Sequence, residues 1–203
     1  VCHVSTAGSV EILRWAKNRG INVTAEVTPH HLLLTEELVS EYNPVYKVNP
    51  PLRTSADVIA LREALVDGTI DIIATDHAPH PVESKDCEWA AAAPGMLGLE
   101  TAASIAQMVL IESGKSNWKR LATVMSKAPA AISGIAQGQE MEVGNRANLV
   151  LIDPSASRTI NDGGASKSGN QPFRGMTMAG AVVHTIYDGK FTVRDSRLEQ
   201  SIA

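Results

Sequence analysis

Apolar and polar residues follow two different periods along the chain, and together they predict strands and helices in turn. Short runs rich in β-branched residues predict buried strands at 1–4, 21–27 and 70–75. Apolar residues at helical spacing lie between and after these strands, and Gly often follows the run. The predicted helices are residues 10–19, a short one from Glu36 capped by Thr35, one from Ser55 up to Gly68, and 98–113, 118–126 and 128–133. This alternation is typical of βα units on a parallel sheet.

Polar residues able to do chemistry follow each predicted strand. His3 ends the first, Thr28 with His30 and His31 follows the second, and Asp76 follows the third. Because the carboxyl ends of all strands meet at one end of a parallel barrel, this arrangement favours a (β/α)8 barrel over a doubly wound sheet. No glycine-rich dinucleotide or phosphate-binding motif follows any strand. The sequence therefore predicts part of an α/β barrel.

The pattern changes after about residue 138, where short alternating segments replace the helices. The predicted strands there are residues 148–152, 181–187 and 190–193. Asp188 and Gly189 form a strong hairpin signal between the last two. Gly and polar residues at 161–171 predict an exposed loop. We therefore assign 1–138 to the C-terminal part of a barrel and 139–203 to a small β subdomain.

Composition narrows the class of protein. The chain has 203 residues, 44% of them hydrophobic, and a formal net charge of −4 without a basic stripe, so we expect no nucleic acid partner. No apolar stretch approaches the ~20 residues of a membrane span, and no secretory signal is visible. Cys2 and Cys87 make neither a disulfide framework nor a zinc-finger spacing, which favours a cytoplasmic setting. Because Val1 already lies in a predicted strand, we expect the chain to be a piece of a longer protein.

The densest group of reactive side chains directly follows the strand at 70–75. Asp76, His77 and His80 stand at the mouth of a buried strand, where barrels present catalytic and metal-binding groups. His3 should face the same end of the barrel, and a neutral imidazole with a carboxylate suits zinc. Two ligands do not hold a catalytic metal. Either the site is not metallic, or its other ligands lie outside this chain.

Other residues allow two interpretations each. His30 and His31 either include a metal ligand or, as is more common for such pairs, form hydrogen bonds that orient a loop. Asn49, in a rigid proline-rich segment, either presents its amide to a ligand or starts a turn. Pro94 and Gly95 can bring backbone groups close to a substrate, because glycine permits close approach.

Several segments together resemble dihydroorotase of the amidohydrolase superfamily, in its longer bacterial form. They are residues 3–6, 26–32, 47–53, 74–80 and 95–101. They occur in that family's order and at similar spacing across nearly the whole barrel part. Residues 142–153 resemble the segment where the superfamily returns to its small β domain. Hydantoinases and allantoinases share the scaffold but usually differ around Asn49 and Asp76.

The resemblance implies a TIM-like (β/α)8 metal-dependent hydrolase barrel, of which this chain holds about three βα units, plus the small β subdomain. It implies Zn²⁺, one or two ions in a complete active site. His3 matches a histidine that binds the second metal, and Asp76 matches an aspartate that binds the first metal and acts as the catalytic acid/base. The residues that match substrate contacts are Asn49, His80, Pro94 and Gly95. The family's remaining metal ligands should precede Val1, so we expect this chain alone to be inactive.

The implied reaction is the reversible hydrolysis of (S)-dihydroorotate to N-carbamoyl-L-aspartate in de novo pyrimidine biosynthesis. Asp76 would take a proton from the attacking water and pass it to the leaving nitrogen. The alternatives are a hydantoinase- or allantoinase-type cyclic amidohydrolase, or a catalytically inactive dihydroorotase-like scaffold. The expected partner is a small-molecule substrate, with no nucleic acid and no membrane. A homo-oligomer and an association with aspartate transcarbamoylase are both left open.

Overall fold

A computed structural model describes residues 1–138, 140–161 and 164–199 of the chain. It contains a two-stranded parallel sheet and a four-stranded antiparallel sheet, with helices in the first two thirds. The α-helices are α1 Ala7–Asn18, α2 Ser55–Asp67, α3 Ala102–Gln107, α4 Trp118–Ala122 and α5 Ala128–Ser133. The strands are β1 Glu26–Val27, β2 Ile72–Ile73, β3 Leu149–Thr159, β4 Thr177–Tyr187, β5 Lys190–Arg194 and β6 Arg197–Leu198. Short 3-10 helices span His30–Leu32, Glu36–Val39, Pro44–Tyr46 and Val82–Ser84.

The parallel sheet brings the predicted strand ends side by side. β1 pairs with β2 in parallel, with Glu26 beside Ile72, which confirms parallel pairing but over fewer residues than predicted. The segment 1–4 runs along the other side of β1, where Glu26 N donates to Val1 O (3.0 Å) and Val4 N donates to Glu26 O (2.9 Å). It is not a regular strand, because His3 has a φ of 53° and so leaves the extended conformation.

The second helix starts and ends where its capping residues predict, whereas the first starts at Ala7, three residues before the predicted start. The Thr6 hydroxyl accepts a hydrogen bond from Ser9 N (3.1 Å) at the start of α1. Thr54 and Asp57 form a reciprocal capping box at the start of α2, and Gly68, with a φ of 91°, ends it. These local signals fix the helices that flank β1 and β2 in sequence.

The later helices differ in detail from the prediction. The helix expected at 98–113 begins only at Ala102, and α3 continues as a π-helical segment, Met108–Glu112. α4 likewise continues through the π-helical segment Thr123–Lys127 into α5. The Thr35 side chain does not cap Glu36–Val39, which is a 3-10 turn. Within the described residues, each helix is too short or too polar to cross a lipid bilayer.

The antiparallel sheet has the order β3-β4-β5-β6. Asp188 and Gly189 join β4 to β5 with φ values of 48° and 78°, the positive pair that a tight hairpin turn requires, so the hairpin prediction is confirmed. The sheet packs on α3, where Gln107 Nε2 donates to Pro154 O (2.9 Å). Phe173, from the segment before β4, is fully buried in the same apolar cluster as the helices.

The prediction of an exposed loop at 161–171 is wrong at Asn170. Residues 162 and 163 lie outside the described part of the chain, but Asn170 is only 4% exposed. In the sequence, a polar residue next to Gly and Ser indicates a solvent-exposed loop. Here its side chain is instead enclosed by segments far away in the chain.

Candidate functional site

The structure brings His3 and Asp76, the predicted ligand pair, together at one edge of the parallel sheet. His3 Nε2 lies 3.8 Å from Asp76 Oδ1. The two side chains are 32% and 27% exposed, so both can be reached from solvent. An imidazole nitrogen and a carboxylate oxygen thus lie close together, and we refer to the two residues below as the ligand pair.

Both members of the ligand pair have a left-handed backbone. The φ values are 53° for His3 and 46° for Asp76. Residues with a side chain seldom adopt this conformation, although Asp and His do so more often than most. Such strained positions cluster at functional sites, where the surrounding structure holds them. The backbone of the pair is therefore consistent with a functional role.

Glu26, the first residue of β1, stands behind His3. Its Oε1 atom accepts a hydrogen bond from His3 N (2.9 Å). The same oxygen lies 2.5 Å from the buried His3 Nδ1, but the angles of this second contact do not fit a hydrogen bond. The carboxylate occupies the Nδ1 side, which leaves Nε2 towards Asp76. A carboxylate behind a histidine is the usual support of a metal ligand. Sequence reasoning missed Glu26, whose only signal is its place in a strand beside the predicted site.

The charges around Asp76 act in opposite directions on its pKa. Partial burial raises the pKa of Asp76, His3 lowers it and Glu26 raises it, with a net shift upwards. A carboxyl group with a raised pKa exchanges protons more readily near neutral pH than an ordinary aspartate. A metal ion bound at this carboxylate would act in the opposite direction and lower its pKa.

The ligand pair fits part of a metal site. One imidazole nitrogen and one carboxylate oxygen face each other, which is a donor set that zinc accepts. In the described ranges, no three His, Cys, Asp or Glu side chains are grouped so that they could hold a metal ion. A catalytic zinc site uses three protein ligands and an open position. The pair therefore fits as two ligands of a larger set.

His31 connects the end of β1 to the segment that carries Asn49. Its Nε2 atom lies 3.1 Å from Pro50 O and 3.3 Å from Pro51 O, and its Nδ1 lies 2.7 Å from the Thr28 hydroxyl. Carbonyl oxygens only accept, so Nε2 carries the proton and Nδ1 accepts from the hydroxyl of Thr28. Burial lowers the pKa of His31 to about 4, although both carbonyls oppose the shift. A neutral ring therefore orients this segment, as the second of the two interpretations predicted.

The neighbouring His30 has a different environment. It is buried, and its ring centroid lies 4.6 Å from that of His31. Among the residues that the structure describes, its Nε2 finds no hydrogen-bond partner. Burial first, then His31 and His3, lower the pKa of His30 well below its ordinary value. Asn49, by contrast, is exposed, so its amide can meet a ligand.

The segments that carry His80 and Gly95 are joined directly. His80 Nε2 donates to Pro94 O (3.0 Å), and Ala78 N donates to Met96 O (2.9 Å). Gly95 has a φ of 148°, and a Cβ atom there would lie 2.6 Å from His80 Nε2. Only glycine fits this close approach without displacing the histidine.

His77 supports the same loop from the other side. Its Nδ1 atom accepts hydrogen bonds from Gly98 N (3.1 Å) and Leu99 N (3.4 Å). This histidine therefore acts within the loop, whereas Asp76 beside it faces His3.

Lys85 binds three backbone carbonyls near the point where the His80 and Gly95 segments meet, which we call the loop junction. Its Nζ atom donates to Lys47 O (3.3 Å), Ala93 O (2.9 Å) and Gly95 O (3.0 Å). Gly95 N also donates to Lys47 O (2.9 Å), so the Gly95 segment is tied to the residues just before Asn49. Burial and the nearby Lys47 lower the pKa of Lys85 to about 8. Sequence reasoning missed Lys85, because a lysine in a polar loop normally indicates solvent exposure.

An open cavity lies beside this junction. Its volume is about 560 Å³, and its lining includes Tyr46, His80, Lys85 and Asn170. This size is within the range of small-molecule sites. The predicted contact His80 therefore faces a space that a small ligand can enter.

Comparison with known proteins identifies the family. Residues 2–192 match the model of the amidohydrolase family. The chain belongs to this family. It is 59% identical over 200 residues to a dihydroorotase of Streptomyces coelicolor, covering 98% of this chain and 47% of that protein. It is 58% identical over 204 residues to a dihydroorotase of Leifsonia xyli, covering 100% of this chain and 47% of that protein. The resemblance to dihydroorotase is thus confirmed, and the chain spans about half the length of these curated relatives.

A solved amidohydrolase structure confirms the fold class. An L-hydantoinase (dihydropyrimidinase) from Arthrobacter aurescens has a TM-score of 0.88 and 32% sequence identity, covering 98% of this chain and 45% of that one. The parallel β1–β2 pair and its helices correspond to part of an amidohydrolase barrel, and β3–β6 form the accompanying sheet. The predicted partial barrel with a β sheet is therefore correct.

Proposed function

We propose that these residues form part of a dihydroorotase, which hydrolyses (S)-dihydroorotate reversibly to N-carbamoyl-L-aspartate. The observation that carries the proposal is the 3.8 Å approach of His3 Nε2 to Asp76 Oδ1 in a chain whose high-identity relatives are named dihydroorotase. The reaction places the protein in de novo pyrimidine synthesis, with a small soluble substrate and a cytoplasmic location. A homo-oligomer or an association with aspartate transcarbamoylase remains compatible with this role.

In the proposed site, His3 and Asp76 bind zinc, with Glu26 holding the His3 ring in place. A metal held by these residues would supply Lewis-acid chemistry, namely activation of a water molecule and polarisation of the substrate's amide carbonyl. The remaining ligands come from outside these residues. The proposal therefore includes one or two zinc ions per complete site.

Asp76 is the proposed proton carrier. In the hydrolytic direction it accepts a proton from the attacking water and delivers it to the ring nitrogen as the C–N bond breaks. The position of Asp76 supports this role, because its carboxylate lies 3.8 Å from His3 Nε2 and is reached from solvent. In ring closure the same carboxyl group moves the proton in the opposite direction.

Substrate binding is assigned to the other side of the site. Asn49 offers an exposed amide, and His80 helps to hold the substrate carboxylate or ring. The backbone of Pro94 and Gly95 forms the adjoining wall. Support comes from the 3.0 Å hydrogen bond between His80 and Pro94, which fixes the ring of His80 beside the open cavity.

A substrate comparison tests this assignment. A full-length version, meaning a chain of the relatives' length that contains these 203 residues, should hydrolyse dihydroorotate with a kcat/KM at least about 100-fold above those for hydantoin and allantoin. The second candidate is a hydantoinase, favoured by the structural similarity to an L-hydantoinase. Preferential hydrolysis of hydantoin would support it and contradict the first proposal.

The chain by itself should lack turnover. It provides two of the proposed ligands, and a catalytic zinc needs at least three. We expect the isolated 203 residues to bind zinc weakly and to leave dihydroorotate unchanged. Stoichiometric zinc by elemental analysis together with turnover would contradict this. A full-length version that binds zinc but turns over none of the three substrates would indicate the inactive scaffold.

A further inference from the structure

Asn170 is a buried polar residue in the segment between β3 and β4, where the sequence predicts an exposed loop. It is only 4% exposed. A buried carboxamide must have hydrogen-bond partners, or it destabilises the fold. The partners of Asn170 identify what the residue does.

All of these partners are backbone groups of two segments, the one that carries His80 and the one that carries Gly95. Asn170 Nδ2 donates to Ala78 O (2.8 Å) and to Gly95 O (3.2 Å). Its Oδ1 accepts from His80 N (3.3 Å), and its own carbonyl accepts from Leu97 N (3.1 Å). The carboxamide thus joins the His80 segment to the Gly95 segment, which lie 75 to 92 residues earlier in the chain.

We propose that Asn170 is a positioning residue that sets the spacing between His80 and Gly95 and so shapes the substrate-binding wall. The inference rests on the proposed function, in which both of these residues contact substrate. Asn170 does not touch the reacting atoms. It acts through the backbone of the residues that do.

The chemistry of the side chain explains why a carboxamide is needed. The side-chain NH2 group of Asn170 donates to the carbonyl oxygens of Ala78 and Gly95. Its side-chain oxygen accepts from the backbone amide of His80, in the same segment as Ala78. An aspartate has the same size but no donors, so it would place a carboxylate against the carbonyls of Ala78 and Gly95. An alanine would remove the side-chain partner of Ala78 O and His80 N and would leave Gly95 O to Lys85 alone.

Lys85 and Asn170 share the Gly95 carbonyl but differ in reach. Lys85 ties Gly95 to Lys47 and Ala93, whereas Asn170 ties it to Ala78 and His80. Of these two side chains, Asn170 is thus the one that links the Gly95 segment to the histidine side of the wall.

Gln107 provides a matched comparison. It is another buried carboxamide, 2% exposed, and its Nε2 donates to Pro154 O (2.9 Å) between α3 and the sheet. Its carboxamide bonds neither the His80 nor the Gly95 segment. A loss of a buried carboxamide at Gln107 therefore measures the general structural cost, without the proposed effect on the wall.

The experiment uses full-length Asn170→Ala, Asn170→Asp and Gln107→Ala variants. We expect KM for dihydroorotate to rise about tenfold or more in both Asn170 variants, with a smaller fall in kcat and unchanged zinc content, because the loss of buried hydrogen bonds acts on binding. Gln107→Ala should keep KM within about twofold, even where thermal stability falls. The aspartate variant matches asparagine in size, so its data decide if the alanine variant does not fold.

Amide hydrogen exchange gives a readout that does not depend on the substrate. Exchange in residues 77–80 and 94–98 should become at least about tenfold faster in Asn170→Ala and stay near wild type in Gln107→Ala. Unchanged exchange there, or an unchanged KM, would overturn the positioning role. If the wild-type protein hydrolyses hydantoin rather than dihydroorotate, only the proposed function fails, and exchange with KM for hydantoin still tests Asn170.

Discussion

Asp76 of the ligand pair and His80 of the loop junction lie only four residues apart in the chain, yet the two regions are built in opposite ways. The ligand pair is His3 and Asp76, half-exposed side chains on a left-handed backbone, facing each other across 3.8 Å. The loop junction is formed by the backbone around His80 and Gly95, together with the side chains of Lys85 and Asn170 that bind it.

We infer that the ligand pair serves the reaction and the loop junction gives the binding site its shape. The ligand pair depends on a few atoms that can be replaced without disturbing the core. The loop junction depends on buried hydrogen bonds between distant segments, so one substitution there moves many atoms. Substitutions in the first region should change turnover and metal binding, whereas those in the second should change substrate binding.

The largest effect is expected at Asp76. In a full-length version, Asp76→Asn removes both a ligand oxygen and the proposed proton carrier, so kcat should fall at least about 1,000-fold while the fold is kept. Asp71→Asn is the control, because this carboxylate pairs with Lys17 (2.8 Å) outside the site and should mainly affect stability. Near-wild-type turnover in Asp76→Asn would remove the basis for the ligand pair.

Glu26→Gln should give the next largest effect. The glutamine oxygen can still accept from His3 N, but the negative charge behind the ring is lost, so zinc affinity should fall about 10- to 100-fold. Competition with a chelator measures this. Glu100→Gln serves as the control. The Glu100 carboxylate accepts a hydrogen bond from Ala165 N (2.8 Å) and not from either member of the ligand pair. Equal zinc affinity in both variants would show that Glu26 does not support His3.

Gly95→Ala tests the loop junction. The new methyl group would lie 2.6 Å from His80 Nε2 and 2.8 Å from Ala78 Cβ, so kcat/KM should fall about tenfold, mostly through KM. Gly114→Ala is the matched control, because Gly114 also has a positive φ (70°) but no atom within 4 Å of the new Cβ. If both variants have the same KM, the close packing at Gly95 does not shape the binding wall.

The smallest effect concerns pH. His31 has a folded pKa of about 4, lowered from 6.5, and faces His30, His3 and Arg53. Between these values the unfolded chain binds more protons than the folded one, so stability falls as pH decreases from 6.5 to 4. The slope should be at most about 1.4 kcal/mol per pH unit for this histidine. Urea unfolding at several pH values measures it, and His31→Gln should reduce the slope. An unchanged slope would contradict a buried neutral ring.

The same comparison explains what the sequence could predict. Capping residues such as Thr6 and Thr54 act on nearby backbone, so the first two helices are visible in the sequence. The ligand pair is also visible, because His3 lies near the end of the first predicted strand and Asp76 directly follows the third, and the ends of parallel strands meet. In each case the signal and its effect lie within a few residues of each other.

The loop junction was largely invisible for the opposite reason. Lys85 and Asn170 are polar residues in loops, and their partners are backbone carbonyls, which every residue possesses. Nothing in the residue types marks Ala78 or Gly95 as the acceptors. The left-handed backbone of His3, which interrupts the first predicted strand, also results from tertiary contacts rather than local preference.

The most direct test is a crystal structure of a full-length version with zinc and dihydroorotate bound. We expect His3 Nε2 and a carboxylate oxygen of Asp76 each to lie within about 2.0–2.2 Å of a zinc ion, either one shared ion or two neighbouring ions. We also expect the substrate to lie against Asn49, His80 and the backbone of Gly95. Zinc bound by His30 or His31 instead, or a substrate that does not touch the loop junction, would contradict the central claim that the two regions form one active site.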